Sequence, residues 1–392
     1  MTGQPTDHRW MAVISDFTDG PHEPDTERSA CAMHDVDGPI APADIATARA
    51  GAEVTGGYLE RLALACVKDG LVDAVEIWRH WRGSVPPGPE RESVVLTRRA
   101  FRRDGDAAPF ASRHMVAFVE RFGPPTILLV LGLGVDDAVL EACRDSLIVY
   151  NSIDAPALRV PQQISQHFDL VITGAPWQSD AVVARHPGMP CIVQPIGPEF
   201  AAIDLFRPLR TPKRFDVVYV AAAQGYKRHE ILFDALAERP DLTALCVFGY
   251  GERADAYRDE IAARGLRIEC VGPPGVPFEE VNRLMNEARI GVVCGEEDGA
   301  PAILTEYMLA GLPVLANTRL CCGLQFITPE TGATAAGEDF AGAIADLVAR
   351  ADQMDPRSAV LARWTWPHGI RRFRDALAAA AFARGKRIQP AE

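Results

Sequence analysis

Short runs of β-branched and other apolar residues alternate with amphipathic helical patterns along most of the chain. This alternation predicts βαβ units and parallel sheets that are covered by helices on both faces. The runs fall into two series, so we expect two Rossmann-like domains. The predicted strands are 11–15, 74–78, 126–131, 147–150, 170–173 and 191–194 in the first series, and 216–220, 243–248, 267–271, 290–294 and 313–316 in the second.

A Pro-rich stretch at 195–212 separates the two series and has little periodic pattern, which suits an interdomain connection. We predict an N-terminal domain at 1–207, a C-terminal domain at 208–355, and a helical segment at 356–392 that packs back on the first domain. Residues 21–54 are rich in Pro, Asp, Ala and Gly and interrupt the first βα unit. They are interpreted either as a mobile insertion or as a disordered connector.

Composition narrows the classes of function. The 392 residues are 48% hydrophobic and carry a net charge of −13, which is typical of a globular protein and opposes binding to nucleic acid. No apolar run is long enough to span a bilayer, and the first residues lack a signal-peptide pattern, so we expect a cytoplasmic location.

The nine cysteines lie mostly in apolar segments and are expected to be reduced, buried thiols. The adjacent pair Cys321 and Cys322 is interpreted as structural, with a redox or metal site as the alternative.

The densest chemical signal joins a strand end to a helix and then to another strand, at 297–317. Pro301 suits the first turn of a helix, so Asp298 and Gly299 are predicted in the loop just before the helix N-terminus. Backbone N–H groups at such a position favour phosphate oxygens or sugar hydroxyls. Glu306, on the same helix, can accept hydrogen bonds from vicinal hydroxyls such as those of a ribose.

This segment resembles the GT-B glycosyltransferases of family 4, which carry Glu-Gly-Phe-Gly or Glu-Gly-Phe-Pro, four residues, Glu-Ala-Met-Ala and then Gly-x-Pro-Val. By this resemblance Asp298 contacts the transferred sugar and Glu306 holds the ribose, although Asp298 is shorter than the family's Glu and Ala300 replaces an aromatic residue. The resemblance implies two Rossmann-like domains facing across a cleft, the first for the acceptor and the second for a nucleotide-sugar, with a C-terminal helix that crosses back. Other candidate donor contacts in this loop are Glu297, Gly299, Ala300, Pro301, Ala302 and Ile303.

Two further segments of the second domain fit the same resemblance. Lys227 matches the family's phosphate-binding lysine, whose charge stabilises the leaving diphosphate. Ala222 stands where the family has an arginine, so Arg228 or Arg214 is a candidate replacement. The turn that contains Gly249 and Gly251 resembles the family's Gly-Asp-Gly turn, where the backbone approaches the ligand closely.

The first domain resembles the family less. Gly56 and Gly57 resemble the glycine-rich turn that approaches donor phosphate and acceptor, but they follow the 21–54 insertion. The family's histidine after the fourth strand is missing, and Asp154, after a predicted strand end, is the best acid/base candidate, with a helix cap as the alternative. A basic cluster at 98–103 is interpreted as a solvated loop, with an anion-binding patch as the alternative.

These observations predict a hexosyltransferase of glycan biosynthesis that moves a sugar from a UDP-, GDP- or dTDP-sugar to an acceptor hydroxyl. Retention of configuration is preferred, inversion with Asp154 as base is the alternative, and neither a metal nor another cofactor is expected. The acceptor is predicted to be a soluble small molecule, a glycan or a protein side chain, because residues 1–199 carry 17 Lys and Arg against 27 Asp and Glu. The oligomeric state is left open.

Other functions stay open as alternatives. A catalytically degenerate sugar-nucleotide binder, or a partner subunit of a transferase, would account for the missing histidine and arginine. A sugar-nucleotide epimerase or a phosphorylase is less consistent with the residues of the first domain.

Overall fold

The computed structural model describes residues 8–21 and 37–386. The chain forms two compact units, of which the first comprises the described residues up to Ile196 together with those from Gly369 onward. The second unit is Gly197–His368. The units divide inside the Pro-rich stretch at 195–212. Residues 22–36 of the predicted insertion lie outside the described residues, whereas the later part contains a short helix that Asp44 caps.

The first unit is built on an eight-stranded sheet within the described residues. Its strands are β1 Trp10–Asp19, β2 Ala74–Trp81, β3 Glu90–Arg91, β4 Leu96–Arg102, β5 Ile127–Leu131, β6 Leu147–Asn151, β7 Leu170–Thr173 and β8 Cys191–Val193. Their order is β3-β4-β2-β1-β5-β6-β7-β8, and every pair is parallel except β3 with β4. The strands are mostly apolar because helices cover both faces of a parallel sheet.

Helices of this unit connect the strands. They are α1 Ile45–Gly51, α2 Arg61–Asp69, α3 Arg113–Phe122, α4 Asp137–Ala142, α5 Gln162–Ser165 and α6 Pro176–Arg185, and α7 Ile196–Glu199 lies at the division between the units. The last helix, α14 Trp366–Ala383, contributes most of its length to the first unit. There Arg374 forms an ion pair with Asp69, and beyond the helix Lys386 donates to the carbonyl of Ser146 at 2.7 Å.

The second unit has six parallel strands: β9 Phe215–Val220, β10 Ala244–Val247, β11 Ile268–Val271, β12 Ala288–Val293, β13 Val314–Asn317 and β14 Gly332–Ala335. Their order is β11-β10-β9-β12-β13-β14, the doubly wound order of a Rossmann fold. The helices are α8 His229–Glu238, α9 Ala254–Ala263, α10 Phe278–Met285, α11 Ile303–Leu309, α12 Phe340–Arg350 and α13 Pro356–Arg363.

All eleven predicted strands are present, with ends shifted by a few residues, but three further strands are absent from the prediction: β3, β4 and β14. The basic cluster at 98–103 forms most of β4, so its interpretation as a solvated loop is wrong. β4 pairs in parallel with β2, which places it inside the sheet.

A buried ion pair explains how this strand tolerates its arginines. The guanidinium of Arg99 donates to Glu76 at 2.7 and 2.8 Å, and both side chains are almost fully buried. Trp78 Nε1 also donates to Glu76, at 3.0 Å, and Arg99 donates to the carbonyls of Asp37 and Gly38. Because the buried charges have several partners, removing either one leaves the other uncompensated.

We predict that Arg99→Leu lowers the free energy of unfolding by about 3 to 5 kcal/mol, because the Glu76 carboxylate stays buried without its counter-ion. Urea denaturation measures the change. Arg98→Leu is the matched control on the same strand: Arg98 pairs with Glu60 and Glu92 nearer the surface, so its loss should cost about 1 kcal/mol or less. Equal losses in the two variants would contradict the special role of the buried pair.

Candidate functional site

The strand order of the second sheet reverses between β9 and β12, which are neighbours in the sheet. Because all six strands are parallel, the loops that follow β9, β10, β11 and β12 emerge at one edge. A crevice forms in such sheets where the connections from two adjacent strands run in opposite directions, and ligands bind there. The sequence-predicted residues of the second domain lie in the loops that follow β9, β10 and β12 and on helix α11, which follows the β12 loop.

Lys227 ends a tight 3-10 turn, Gly225–Lys227, that follows β9. The hydroxyl of Tyr219, inside β9, donates to the carbonyl of Lys227 at 2.6 Å. The turn also packs against the loop that follows β12, since a Cβ atom added to Gly295 would lie 3.1 Å from the Tyr226 carbonyl oxygen. The position of Lys227 is therefore determined by both strands of the crevice.

Lys227 Nζ donates a short hydrogen bond to the carboxylate of Asp298, in the loop after β12. The two side chains are 17% and 11% exposed, so solvent screens this ion pair only weakly. Burial opposes the charge on Lys227, but Asp298 and the neighbouring Tyr226 outweigh it and raise the pKa of the lysine. The structure thus brings together the two residues to which the family resemblance assigns phosphate and sugar contacts.

Arg228 follows this turn and adopts a left-handed conformation with φ of 53°, a backbone strain that occurs often at functional sites. Its guanidinium contacts Glu230 and lies 2.8 Å from Glu296. Glu296 has no role in the sequence prediction, whereas Glu297, which does, is exposed. Arg228 is therefore already paired with carboxylates.

The glycine turn after β10 packs against the loop after β9. Ala223 donates its N–H to the carbonyl of Tyr250 at 2.6 Å, and a Cβ atom at Gly251 would lie 2.4 Å from the Ala223 carbonyl oxygen. Gly251, with φ of 124°, is thus required for loop-to-loop packing. A Cβ atom at Gly249 would meet nothing within 4 Å, so this side of the turn is open.

Arg253, at the end of this turn, supplies a cation that the sequence prediction missed. A Cβ atom at Gly225 would lie 3.3 Å from the Cζ atom of Arg253, which places the guanidinium against the turn that carries Lys227. The side chain is exposed, and its backbone N–H donates to the Ala223 carbonyl at 3.0 Å. Only its position beside the glycine turn could have indicated it from the sequence.

Helix α11 begins at Ile303, so Pro301 precedes the helix and the prediction of Pro301 in its first turn is wrong by two residues. Asp298, Gly299, Ala300 and Pro301 are buried in the loop, Ala302 is the N-cap residue, and Ile303 is the first helical residue. Glu306 is 7% exposed on this seven-residue helix.

The residues on either side of Glu306 fix its helix to the rest of the unit. Thr305 donates its hydroxyl to the carbonyl of Pro198 at 2.7 Å, and the hydroxyl of Tyr307 accepts from the N–H of Val220 at 2.6 Å. Val220 is the last residue of β9. Glu306 is consequently held in a fixed relation to the strand that leads to Lys227.

The candidates in the first unit have local partners. Asp154 lies in the loop after β6 and forms an ion pair with Arg159 at 3.1 Å. It does not cap the next helix, since α5 follows Pro161. In the glycine turn, Gly57 donates its N–H to the carboxylate of Glu60 at 2.7 Å.

Among residues 8–21 and 37–386, no group of three or more His, Cys, Asp or Glu is arranged to hold a metal ion. Within the same ranges, no helix is long and apolar enough to cross a membrane.

Residues 203–357 match the sequence model of the family described as glycosyl transferases group 1. The match covers the β9 to β12 loops and the helix that carries Glu306. No curated protein is detectably similar to the chain in sequence.

Several solved structures share the fold. Sucrose-phosphate synthase from Thermosynechococcus elongatus is 17% identical, with a TM-score of 0.66 over 96% of this chain and 100% of that one. Anabaena Alr3699/HepE, solved with UDP and glucose, is 14% identical, with a TM-score of 0.62 over 95% and 100%. The pneumococcal O-GlcNAc transferase GtfA, solved with UDP and GlcNAc, is 14% identical, with a TM-score of 0.56 over 68% of this chain. The chain spans 60% of the length of GtfA.

These likenesses confirm the predicted fold class, and the family match confirms the predicted resemblance to glycosyltransferases in the second domain. Membership of family 4 in particular stays a prediction, as do the roles of the individual site residues.

His229, the first residue of α8, lies two residues after Lys227. Its fully buried ring lies 4.6 Å from the ring of Tyr219 and 4.8 Å from that of Tyr257, and neither ring nitrogen has a hydrogen-bond partner. Burial, reinforced by the charge of Lys227, lowers its pKa to about 3.

The unfolded chain takes up a proton at this histidine below pH 6.5 while the folded chain does not, so acidification destabilises the protein between pH 6.5 and about 3. The free energy of unfolding therefore falls as the pH is lowered through this window. We expect His229→Phe to reduce that fall by up to about 1.4 kcal/mol per pH unit. Denaturation at several pH values in this window measures it, with His167→Phe as control because that ring contacts Asp137 in the other unit. If the free energy of unfolding depended on pH in the same way in His229→Phe and in the wild type, the buried neutral state of His229 would be contradicted.

Proposed function

We propose that this chain, which contains a group 1 glycosyl transferase domain at residues 203–357, transfers a sugar from a nucleotide-activated donor to an acceptor hydroxyl. The donor is a UDP-, GDP- or dTDP-sugar, bound in the crevice at the carboxyl edge of the second sheet. UDP-sugars are the first to test, because two of the similar structures were solved with UDP. We place the enzyme in glycan biosynthesis.

The ion pair between Lys227 and Asp298 is the observation that carries this proposal. A donor diphosphate offers Lys227 a stronger counter-ion than a single carboxylate does, and the sugar offers hydroxyls to the released Asp298. Both side chains thereby gain ligand partners from one molecule. As the glycosidic bond breaks, negative charge grows on the diphosphate, and the fixed ammonium of Lys227 stabilises that charge in the transition state.

Arg253 is the second phosphate cation in this proposal. The position at which the family resemblance calls for an arginine is occupied by the buried Ala222, and Arg228 is paired with Glu230 and Glu296. Arg253 instead approaches the same turn from the side of Gly225. An exposed guanidinium there is able to bind phosphate oxygens in bidentate fashion.

Glu306 binds the ribose of the donor. Its carboxylate is nearly buried, and its helix is tied to β9 through the Tyr307 hydroxyl. Two vicinal hydroxyls match the two oxygens of a carboxylate, and a buried carboxylate favours such hydrogen bonds over water. Gly249 leaves open space beside the same crevice.

For the chemical step we propose retention of configuration without a metal ion, with Lys227 and Arg253 bearing the diphosphate charge. Asp154 is the candidate base for the inverting alternative, and it must first leave Arg159 to accept a proton. The acceptor, a small molecule, a glycan or a protein side chain, is assigned to the first domain.

A sugar-nucleotide binder without turnover is the second candidate. Ala222 in place of the arginine and the pairing of Asp154 with Arg159 favour it. The two candidates differ in one measurement, the release of nucleotide from UDP-, GDP- and dTDP-sugars offered with a panel of acceptors. Stabilisation by a donor without any release would favour the binder.

We predict that Glu306→Ala and Glu306→Gln reduce thermal stabilisation by UDP while circular dichroism shows the fold retained, because the ribose loses its charged acceptor. One lost charged hydrogen bond should weaken binding by about tenfold or more. Glu260→Ala, on the exposed face of α9, is the control and should bind as the wild type does. An unchanged UDP shift in both Glu306 variants would remove this residue from the site.

For Lys227→Ala we expect turnover to fall more than donor binding, by about 100-fold or more in kcat, because the lysine interacts most strongly with the charge that develops in the transition state. Lys68→Ala, in the first unit, serves as control, since that side chain donates to the Ala50 carbonyl. A loss confined to KM would contradict the leaving-group role of Lys227.

A further inference from the structure

Two adjacent thiols lie beside the proposed donor loop and have no part in the proposed reaction. Cys321 and Cys322 follow β13, in a loop that packs against the loop after β12. The N–H of Cys321 donates to the carbonyl of Glu296 at 2.9 Å, and its Sγ atom lies 3.5 Å from the carbonyl oxygen of Asp298. This cysteine therefore contacts the donor loop on both sides of Glu297.

Cys321 differs chemically from six other described cysteines. Burial raises the pKa of each of those thiols; they are Cys66, Cys143, Cys191, Cys246, Cys270 and Cys294. Cys321 is only partly buried, and a hydrogen bond from the Cys322 side chain lowers its pKa. The thiolate is the reactive form of cysteine, so the lowered pKa favours reaction at Cys321.

We propose that Cys321 and Cys322 form an oxidisable dithiol, a modification site for two-electron oxidants of the peroxide class, and that its oxidation disrupts the donor loop. The assignment of that loop to the donor rests on the proposed function. The site itself rests on the two neighbouring thiols and on their contacts with Glu296 and Asp298.

The chemistry proceeds in two balanced steps. The Cys321 thiolate attacks hydrogen peroxide, forms an S–O bond as the O–O bond breaks, and yields a sulfenic acid and hydroxide. The Cys322 thiol then attacks that sulfur, the S–O bond breaks, and a disulfide and water are formed. A dithiol reductant reverses the change.

Closing this disulfide alters the loop because it joins neighbouring residues in a small ring. The ring restricts the backbone and χ1 angles of both cysteines, and the oxidised Sγ atom of Cys321 no longer carries a hydrogen for the Asp298 carbonyl. A change in the Cys321 backbone also disturbs its N–H bond to the Glu296 carbonyl. Since Asp298 holds Lys227, the disturbance reaches the centre of the proposed site.

The first test is chemical and needs no donor. Trypsin cleavage after Arg319 and Arg350 releases a peptide in which Cys321 and Cys322 are the only cysteines. After hydrogen peroxide treatment of the full chain, we expect this peptide to lose two hydrogen atoms and to resist alkylation until it is reduced. A peptide that keeps two free thiols, while the chain is oxidised elsewhere, would overturn the proposal.

The second test measures the effect on the loop. Hydrogen exchange of residues 295–304 should rise about tenfold on oxidation, and dithiothreitol should reverse the rise. In Cys321→Ser and Cys322→Ser, peroxide should produce no rise, whereas Cys270→Ser, which changes a partly buried thiol in β11, should respond as the wild type does. A disulfide that forms without any change in exchange would refute the link to the donor loop.

Thermal stabilisation by UDP separates this proposal from the proposed function. Loss of the UDP shift on oxidation of the wild type, but not of Cys321→Ser, supports both. If UDP stabilises neither the reduced nor the oxidised protein and exchange still rises, the oxidisable dithiol is supported while UDP as the bound nucleotide is rejected.

Discussion

The parallel pairing of β9 with β12 is the constraint on which the second unit depends. Ile290 pairs with Val217 and Gly291 with Val218, so the chain returns to the opposite side of β9 after it has formed β10 and β11. The reversal opens a crevice at the carboxyl edge. Gly291 is required below it, because a Cβ atom there would lie 2.4 Å from the ring of Tyr307. That ring carries the hydroxyl that holds the end of β9, so apolar packing and site geometry are linked through one side chain.

The sequence predicts an element well where its local pattern agrees with its environment. The central strands are continuous apolar runs, and all of them are found. β4 is missed because its arginines indicate solvent, whereas the charge of Arg99 is balanced by Glu76, more than twenty residues earlier. β14 is missed because Gly332–Ala335 consists of small residues with little β-propensity, and it forms because it pairs with β13. In both cases the strand forms because of a partner that is distant in the sequence.

In the candidate site, too, local motifs identify some residues, whereas others are recognised only from contacts made in the folded chain. Lys227 and Asp298 are each identifiable from their motifs, but their ion pair joins residues 71 positions apart and depends on the strand order. Arg253 carries no motif, and its relevance follows only from the packing of two loops around Ala223 and Gly251. The start of α11 is displaced from Pro301 to Ile303 because a proline at this position is compatible both with the first helical turn and with the loop before it.

The Lys227 and Asp298 pair also has a consequence for the end of a catalytic cycle. In a transferase built in this way, the nucleoside diphosphate that remains after transfer still neutralises the lysine but no longer offers sugar hydroxyls to the carboxylate. Asp298 is then left as an anion without a partner beside a polyanionic product, and it regains its best partner by returning to Lys227. In such a transferase the contact between Lys227 and Asp298 therefore competes with the spent nucleotide and favours its departure.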